Sequence, residues 1–173
     1  MAVNNKTFSS KQEKLIADAL GGYVIGGSGA APAVPGDVKT YEWLVECKTH
    51  TEPDHPIFFD IDVWKKICNE AMATGRKPVL IVDDGSQTGD KTWCLCRPDN
   101  INLANVLVGE YPGSIRKNIS IKHSKLIDTE KQIRKANGIP SVGIYTGFAF
   151  SVNWADEELV IMQLSVFKEN FEK

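Results

Sequence analysis

Apolar residues at helical spacing near the start of the chain predict a first helix. The run KQEKLIADAL carries them, so we place the start of this helix near Ser9 or Ser10 and its end at Gly21 and Gly22. The fourteen residues that follow, YVIGGSGAAPAVPG, contain no charged side chain and are rich in glycine, alanine and proline. Such a composition is typical of a strand followed by a loop.

Strand patterns dominate the middle of the chain. EWLVECKT alternates between apolar and polar positions as a half-buried strand does, and DVKTY predicts a shorter strand before it. KPVLIVDDG is a continuous apolar run bounded by Pro78 and Gly85, which is typical of a central strand, and KTWCLCRP is its expected neighbour. Between these two pairs we predict a second helix from about Asp60 or Asp62 to Thr74. Its apolar residues Val63, Ile67 and Ala71 recur at i, i+4 and i+8, and Gly75 is expected to end it.

Residues 98–173 carry less clear patterns. KNISIKHSKL alternates like a strand, DTEKQIRKAN predicts a short basic helix closed by Gly138 and Pro140, and VGIYTGFAFSV with ELVIMQLSVF predicts a late pair of strands. The order of elements indicates an α/β domain with a mixed β-sheet flanked by helices. We expect a single domain over residues 1–173, with a core at about 10–97 and a C-terminal α+β elaboration at about 98–173.

Composition places the chain among ordinary globular proteins. Of its 173 residues, 42% are hydrophobic and 24% are charged. There is no run of about eighteen apolar residues and no secretory pattern in MAVNNKTFSS, so we expect no membrane association and a cytoplasmic location. The four cysteines lie in apolar runs without paired CxxC spacing, which argues against disulfides and against a zinc site.

Charge is distributed unevenly along the chain. The formal net charge of -2 argues against a uniformly basic nucleic-acid binder. Between Pro112 and Asn137, however, seven basic residues accompany two acidic ones, which gives a local net charge of +5. Any anion-binding surface is therefore expected to be local.

The strand in EWLVECKT keeps two charged residues where burial is expected. Because side chains alternate between the faces of a strand, Glu46 and Lys48 are neighbours on one face. The other face carries Trp43, Val45 and Cys47. Asp37 starts the preceding strand, so a hairpin would bring it close to Glu46. Two adjacent carboxylates are tolerated when a cation lies between them, and oxygen ligands of this kind suit Mg²⁺ or Mn²⁺.

Glu13 is a further candidate with two interpretations. On the first helix it lies at the head of the apolar stripe and points toward the core, where a carboxylate needs a partner. The sequence SKQE from Ser10 to Glu13 also fits a capping box, in which Glu13 binds the Ser10 backbone amide. The D…ExK pattern has its own alternative, a turn aspartate followed by an exposed Glu–Lys pair. Taken singly, these residues leave both alternatives open.

The order of the motifs favours a catalytic interpretation. A helix with Glu13, the GGSGA loop, GDV, WLVECKT, the helix around WKKICNEAMATGRKP and the strand VLIVDD follow one another over roughly residues 10–84. In this combination the chain resembles the PD-(D/E)xK nuclease superfamily, and more closely the archaeal-type Holliday junction resolvases and related phage and prophage nucleases. One departure is that Gly36, not a proline, precedes Asp37, with Pro35 one place earlier.

This resemblance implies a restriction-endonuclease-like fold and a set of catalytic residues. Asp37 and Glu46 would bind Mg²⁺, for which Mn²⁺ is expected to substitute, joined by the Cys47 backbone carbonyl and, directly or through water, by Glu13. Lys48 would orient and help deprotonate the attacking water, or stabilise the charge that builds on the phosphate. Both roles suit phosphodiester hydrolysis, which needs a hydroxide-like nucleophile and a cation beside the phosphate.

DNA contacts are predicted in two places. In the GGSGA loop, backbone amides and one hydroxyl can approach a phosphate through Gly26, Gly27, Ser28 and Gly29. In the C-terminal part, basic side chains can follow the DNA backbone, and the candidates are Lys117, Lys122, Lys125 and Arg134. The alternatives are a flexible turn and a solvated charged face.

The expected function is Mg²⁺-dependent endonucleolytic hydrolysis of DNA, selective for branched DNA such as four-way junctions. A homodimer is expected, because cutting two symmetric strands requires two active sites. The same site would also suit a restriction, repair or single-strand-processing nuclease. An alternative of another class is a DNA-binding module that has lost catalysis, against which the intact Asp37, Glu46 and Lys48 argue.

Overall fold

An eight-stranded mixed sheet with helices on both faces forms the framework of the protein. The computed structural model describes residues 5–26, 35–139 and 147–171. Its α-helices are α1 (Asn5–Leu20), α2 (Ile61–Ala73), α3 (His123–Ala136) and α4 (Leu164–Asn170). Its strands are β1 (Tyr23–Val24), β2 (Val38–Lys39), β3 (Trp43–Lys48), β4 (Ile57–Phe59), β5 (Lys77–Asp83), β6 (Thr92–Cys96), β7 (Val106–Glu110), β8 (Ile119–Ile121), β9 (Gly147–Trp154) and β10 (Glu157–Gln163). No helix among these residues is long and apolar enough to cross a membrane.

The large sheet combines strands from both halves of the chain. Its order is β1-β2-β3-β5-β6-β10-β9-β7, and β4 pairs with β8 in a separate two-stranded sheet. The pairs β3–β5 and β7–β9 are parallel, and the other pairs are antiparallel. A parallel pair needs a crossover connection, and α2 lies in the connection from β3 to β5. The predicted mixed sheet with flanking helices is thereby confirmed.

Different helices cover the two faces of the sheet. On one face, α1 and α4 bury Ile16, Leu20 and Phe167 beside Trp43 of β3 and Ile81 of β5. On the other face, α2 contributes Trp64, Ile67 and Ala71 to a second cluster. Strands β3 and β5 therefore lie between two helical layers, and few of their positions remain open to solvent.

Helix α2 begins and ends where its sequence signals predict. The Asp60 carboxylate accepts hydrogen bonds from the backbone amides of Asp62 and Val63 at 2.8 and 3.3 Å, which makes it the N-cap. After the last turn, Gly75 adopts a left-handed conformation with φ +64°, which a glycine tolerates without a steric penalty. The expected helix from Asp60 or Asp62 to Thr74 is thus confirmed.

Helix α1 starts earlier than predicted, and its start decides between the two interpretations of Glu13. It begins at Asn5, so Ser10 lies inside the helix and the capping-box interpretation of Glu13 is wrong. The side-chain amide of Gln87, itself buried, donates a hydrogen bond to the Phe8 carbonyl oxygen near the helix start. This contact spans much of the sequence, so a local pattern could not indicate it.

Four elements depart from the sequence prediction, one in the core and three in the C-terminal part. Strands β4 and β7 were not predicted, and the segments HSKL and LSVF, expected to be strand, lie in α3 and α4 instead. A short apolar run fits a buried helix as well as a strand. In α4 the apolar residues of such a run, Leu164, Val166 and Phe167, are buried. Of the late strand pair, β9 and β10 are confirmed as an antiparallel pair, while residues 142–146 fall outside the described residues.

The burial of β5 gives a direct test of the sheet order. Val79 of β5 is fully buried, whereas Val108 of the edge strand β7 is 42% exposed. Val79→Ala is expected to lower the free energy of unfolding by ~2–3 kcal/mol, since each buried CH₂ contributes about 0.8 kcal/mol and a cavity remains. Val108→Ala, the matched control, should change it by less than about 0.5 kcal/mol in urea denaturation. Equal losses in the two variants would contradict a central position of β5.

Candidate active site

The hairpin of β2 and β3 brings Asp37 beside Glu46. The two strands pair with Val38 opposite Val45, so the position before Val38 lies opposite the position after Val45. The Asp37 backbone amide donates to the Val45 carbonyl oxygen, and its carboxylate Oδ2 accepts from the Cys47 backbone amide, each at 2.8 Å. This pairing fixes both the backbone and the side chain of Asp37 against β3.

A glycine before Asp37 allows the chain to enter the hairpin. Gly36 is buried and has φ +69°, and a Cβ atom there would lie 2.8 Å from Cδ1 of Leu44. Its backbone amide donates to Oε2 of Glu70 on α2 at 3.0 Å. Position 36 therefore requires a residue that tolerates a left-handed conformation without a Cβ clash, and glycine does.

Glu46 is a buried carboxylate held between two lysines. The residue is only 4% exposed, yet Lys48 Nζ lies 2.6 Å from its Oε1 and Lys66 Nζ lies 3.2 Å from its Oε2. A buried charge without partners is strongly destabilising, so these two ammonium groups allow the carboxylate to lie in β3. The predicted alternation is confirmed, because Val45 and Cys47 pack in one core cluster and Leu44 packs in the other.

The electrostatic surroundings keep Lys48 protonated. Burial lowers the pKa of Lys48, but the adjacent Glu46 carboxylate outweighs that effect through its charge and its hydrogen bond, and the pKa is raised overall. At neutral pH Lys48 is therefore an ammonium group that can donate hydrogen bonds.

A cleft of about 750 Å³ joins the predicted catalytic residues. Helix α1 forms one wall, the β2–β3 hairpin forms the floor, and α2 contributes a side chain from the other side. The residues that carry the chemistry of this cleft are Glu13, Gly26, Asp37, Glu46, Lys48 and Lys66. The structure thus brings the four acidic and basic residues of the D…ExK motif and α1 into one cavity.

The pKa of Glu13 is raised by its surroundings in the cleft. Burial raises the pKa of Glu13, the charge of Asp37 raises it further, and Lys48 and Glu46 act in opposite directions with smaller effect. Glu13, Asp37 and Glu46 offer only oxygen donors, the kind of ligand that a divalent cation such as Mg²⁺ takes in proteins. The residues present therefore fit Mg²⁺ or Mn²⁺ by the type of their donor atoms.

The carboxylates are not already arranged around a common point. Within the described ranges, no group of three histidine, cysteine, aspartate or glutamate side chains is positioned to hold a metal ion. Both oxygens of Glu46 contact lysines. Binding a cation there would require Glu46 to exchange a lysine contact for the cation.

Two side chains of the site were missed by sequence reasoning. Lys66 on α2 reaches Glu46, and a weak signal for it was the i, i+4 pair that it forms with Glu70, with 3.7 Å between the charged atoms. Gln12 on α1 is 1% exposed and donates from Nε2 to the Lys48 carbonyl oxygen at 2.8 Å. Its position one turn before the buried Ile16 was the available signal.

The predicted DNA-contact residues have different placements. Gly26 is exposed and lines the cleft, whereas Gly27, Ser28 and Gly29 lie outside the described residues. Lys122 and Lys125 are exposed at the start of α3, and Lys117 is exposed but paired with Asp62 at 2.9 Å. These three lysines stay candidates for a surface that follows a DNA backbone.

Arg134 does not belong to that surface. It is 9% exposed, its Nε donates to Glu130 at 2.8 Å, and its guanidinium lies 5.7 Å from the ring centre of Phe148. These contacts assign Arg134 to the packing of α3 on the sheet, so its predicted role in DNA binding is corrected. The residue occupies the buried face of an amphipathic helix, and the basic run concealed that position.

Comparisons of the sequence with protein-family models and with curated proteins find no match. The resemblance to the PD-(D/E)xK superfamily therefore rests on the order of the motifs in the sequence.

The raised pKa of Glu13 predicts a pH-dependent gain in stability on removing its charge. Because the pKa of Glu13 is higher in the folded protein than in the unfolded chain, the folded protein binds the proton more tightly. At neutral pH, where Glu13 is ionised, its charge therefore lowers the free energy of unfolding. Glu13→Gln should therefore raise the urea midpoint at pH 7, and the gain should shrink as the pH falls toward about 4, where the unfolded chain also protonates. Glu110→Gln, at an exposed position of β7, is the matched control and should show no such trend. A gain of the same size at both pH values would contradict the interpretation.

Proposed function

We propose that this protein is a Mg²⁺-dependent endonuclease of the PD-(D/E)xK type that hydrolyses DNA phosphodiester bonds. The observation that supports it most is the pairing of β2 with β3, which places Asp37 beside Glu46 and Lys48 in the cleft that α1 lines with Glu13. A chance D…ExK pattern has no reason to gather a carboxylate from a distant helix into the same cavity. An exposed Glu–Lys pair, the competing interpretation, does not fit a glutamate that is only 4% exposed.

The carboxylates of the cleft would hold the metal. Asp37 and Glu46 would be the principal ligands, with Glu13 and the Cys47 backbone carbonyl completing the set. When bound, Mg²⁺ supplies the positive charge that favours a hydroxide-like nucleophile and offsets the charge on the phosphate. Mn²⁺ has the same preference for oxygen ligands and should substitute.

The lysines of the cleft act on the phosphate as cations. Because its pKa is raised, Lys48 is suited to donate a hydrogen bond to a phosphate oxygen as negative charge builds there. Of the two roles considered for Lys48, stabilisation of this charge is therefore favoured over removal of a proton from water. Lys66 adds a second ammonium group on the opposite oxygen of Glu46, so a phosphate that enters the cleft meets two cations.

Branched DNA is the proposed substrate, and a homodimer the proposed assembly. Both follow from the resemblance to Holliday junction resolvases, which cut two strands and need one active site for each. The exposed lysines at the start of α3 offer a further surface for the DNA backbone. Such an enzyme would act in the cytoplasm of a bacterium or of a phage-infected host.

Cleavage of a DNA panel tests the proposal. Four-way junction, matched duplex and single-stranded DNA are incubated with Mg²⁺, and the products are resolved on denaturing gels. The wild type should cut the junction in preference to the other two, and Glu46→Gln should reduce its rate at least ~100-fold by removing a ligand charge at the phosphate.

Glu42→Gln is the matched control for this panel. Glu42 lies just before β3 at the end remote from Lys48, where it pairs with Lys77 at the surface. Its substitution should leave the rate unchanged. Preference for single strands or duplex would redirect the proposal to a processing or restriction nuclease, and DNA binding without any metal-dependent cleavage would indicate an inactive binding module.

A charge-matched pair of variants on α2 tests the role of Lys66. Lys66→Gln should weaken DNA binding and lower the slope of log K against log salt concentration by about 0.9 for one duplex phosphate contact. Lys65→Gln removes the same charge from an exposed neighbour on the same helix and should leave the slope closer to that of the wild type. Binding isotherms measured by fluorescence anisotropy at several salt concentrations give both slopes. Identical slopes for the two variants would remove Lys66 from the site.

A further inference from the structure

A second cavity opens directly beside the carboxylate cleft. It encloses about 280 Å³, and its floor is formed by the buried Leu80 and Val82 of β5. Phe58 of β4 lines one side. Lys48 and Thr49 line both this cavity and the cleft, so the two spaces meet at the proposed catalytic lysine.

Phe58 presents an aromatic ring that the fold does not bury. Its neighbours in β4, Ile57 and Phe59, are fully buried, whereas Phe58 is 38% exposed. The strand therefore turns every second side chain toward the core and leaves the phenyl ring between them accessible. An exposed aromatic side chain at the mouth of an apolar cavity is a surface on which a flat ring can stack.

The cavity is lined mainly by uncharged side chains, with Lys48 at its border with the cleft and Asp60 at the start of α2. His50 also lines it and stacks on His55, with ring centroids 4.5 Å apart and planes 12° apart. Burial lowers the pKa of His50 and the nearby His55 lowers it further, so the imidazole is neutral at pH 7. The side chain of Asp60, which also lines the cavity, accepts hydrogen bonds from backbone amides at the start of α2. Among the described residues that line the cavity, Lys48 is the only lysine or arginine, and a phosphate here would also face the Asp60 carboxylate, so the lining favours an uncharged aromatic ligand.

We infer that this cavity, lined by Phe58, His50, Leu80 and Val82, receives one unpaired nucleobase of the DNA strand whose phosphate occupies the adjacent cleft. The inference rests on the proposed nuclease function and specifies its substrate. A nucleotide joins an anionic phosphate to a flat aromatic base, and the two cavities that share Lys48 offer a polar and an apolar space in the same order. Every base has a π-face, so such a cavity selects for base accessibility rather than for sequence.

The state of the base then determines which DNA is bound. In a matched duplex a base is paired and stacked on both faces, and the protein must supply the energy to extrude it. At a branch, a mismatch or in a single strand this energy is smaller or absent. The cavity therefore discriminates against matched duplex without reading any base edge.

An exposed aromatic residue elsewhere provides a matched control. Tyr41 is 94% exposed and precedes β3 at the end opposite Lys48, where it lines a separate cavity of about 330 Å³. Removing its ring changes surface aromaticity without touching the proposed base site. Phe58→Leu keeps an apolar side chain at position 58 but removes the stacking surface, and Phe58→Tyr retains the ring.

The test compares two probes with the same phosphates, an oligothymidylate and an abasic oligomer of equal length. Affinities are measured by fluorescence anisotropy with Ca²⁺ in place of Mg²⁺, after thermal melts have established that each variant is folded. Wild type should bind the oligothymidylate more tightly. Phe58→Leu should lower that affinity about 5- to 150-fold, the equivalent of ~1–3 kcal/mol of base–aromatic stacking, and leave the abasic affinity unchanged. Phe58→Tyr and Tyr41→Leu should behave as the wild type.

Several outcomes overturn the inference. These are equal wild-type affinity for the two oligomers, absence of binding to either, an equal loss of both affinities in Phe58→Leu, or an equal effect of Tyr41→Leu. Failure of the nuclease proposal has a different signature, because Glu46→Gln would then leave DNA cleavage unchanged or no DNA would be cut. If Glu46→Gln abolishes cleavage while Phe58→Leu still prefers the oligothymidylate to the abasic oligomer as the wild type does, the base site is rejected and the nuclease proposal stands.

Discussion

The ion pairs around Glu46 are the interaction on which the site depends. A carboxylate that is 4% exposed in a strand packed between helical layers requires cationic partners, and the two that it has come from different elements. Lys48 follows two residues later on the same strand, and Lys66 belongs to the helix that makes the crossover from β3 to β5. The crossover that makes β3 and β5 parallel therefore also brings Lys66 to Glu46.

The need to keep Asp37 beside Glu46 also fixes the register of the β2–β3 hairpin. A shift of one residue between β2 and β3 would move Asp37 away from Glu46 and turn every side chain of the shifted strand to the other face. The Asp37 carboxylate binds the Cys47 amide, the Gly36 amide binds Glu70, and Gln12 holds the Lys48 carbonyl. These bonds tie β2, α2 and α1 to β3, so the site is positioned from three directions.

Sequence reasoning succeeded where the information is local. Alternation in EWLVECKT placed Glu46 and Lys48 on one face, and the hairpin placed Asp37 beside them, because strand geometry has a period of two. The stripe of α1 oriented Glu13, but its capping alternative could be rejected only once the helix was seen to start at Asn5. That start involves Gln87, a contact across 79 positions that no pattern within the helix contains.

Other features depend on packing between distant segments and escaped prediction for that reason. Lys66 was one of two adjacent lysines, and only the orientation of α2 on the sheet decides which of them enters the cleft. Arg134 belongs to a basic run whose solvated and buried members look alike in sequence. The short strand β4, which carries Phe58, is specified by its pairing with β8, some sixty positions later.

The insertion of β10 between β6 and β9 has a consequence for how the protein reaches this structure during synthesis. Strands β1, β2, β3, β5 and β6 contain the D…ExK hairpin and could pair among themselves as they leave the ribosome, yet β6 then presents a free edge until residues 157–163 arrive. An open edge of the sequence TWCLC, with apolar side chains on both faces, is a template for pairing with another chain. The last strands of the domain therefore protect nascent chains from self-association, and a chain interrupted before β10 is expected to be lost to aggregation although every carboxylate of the cleft has already been made.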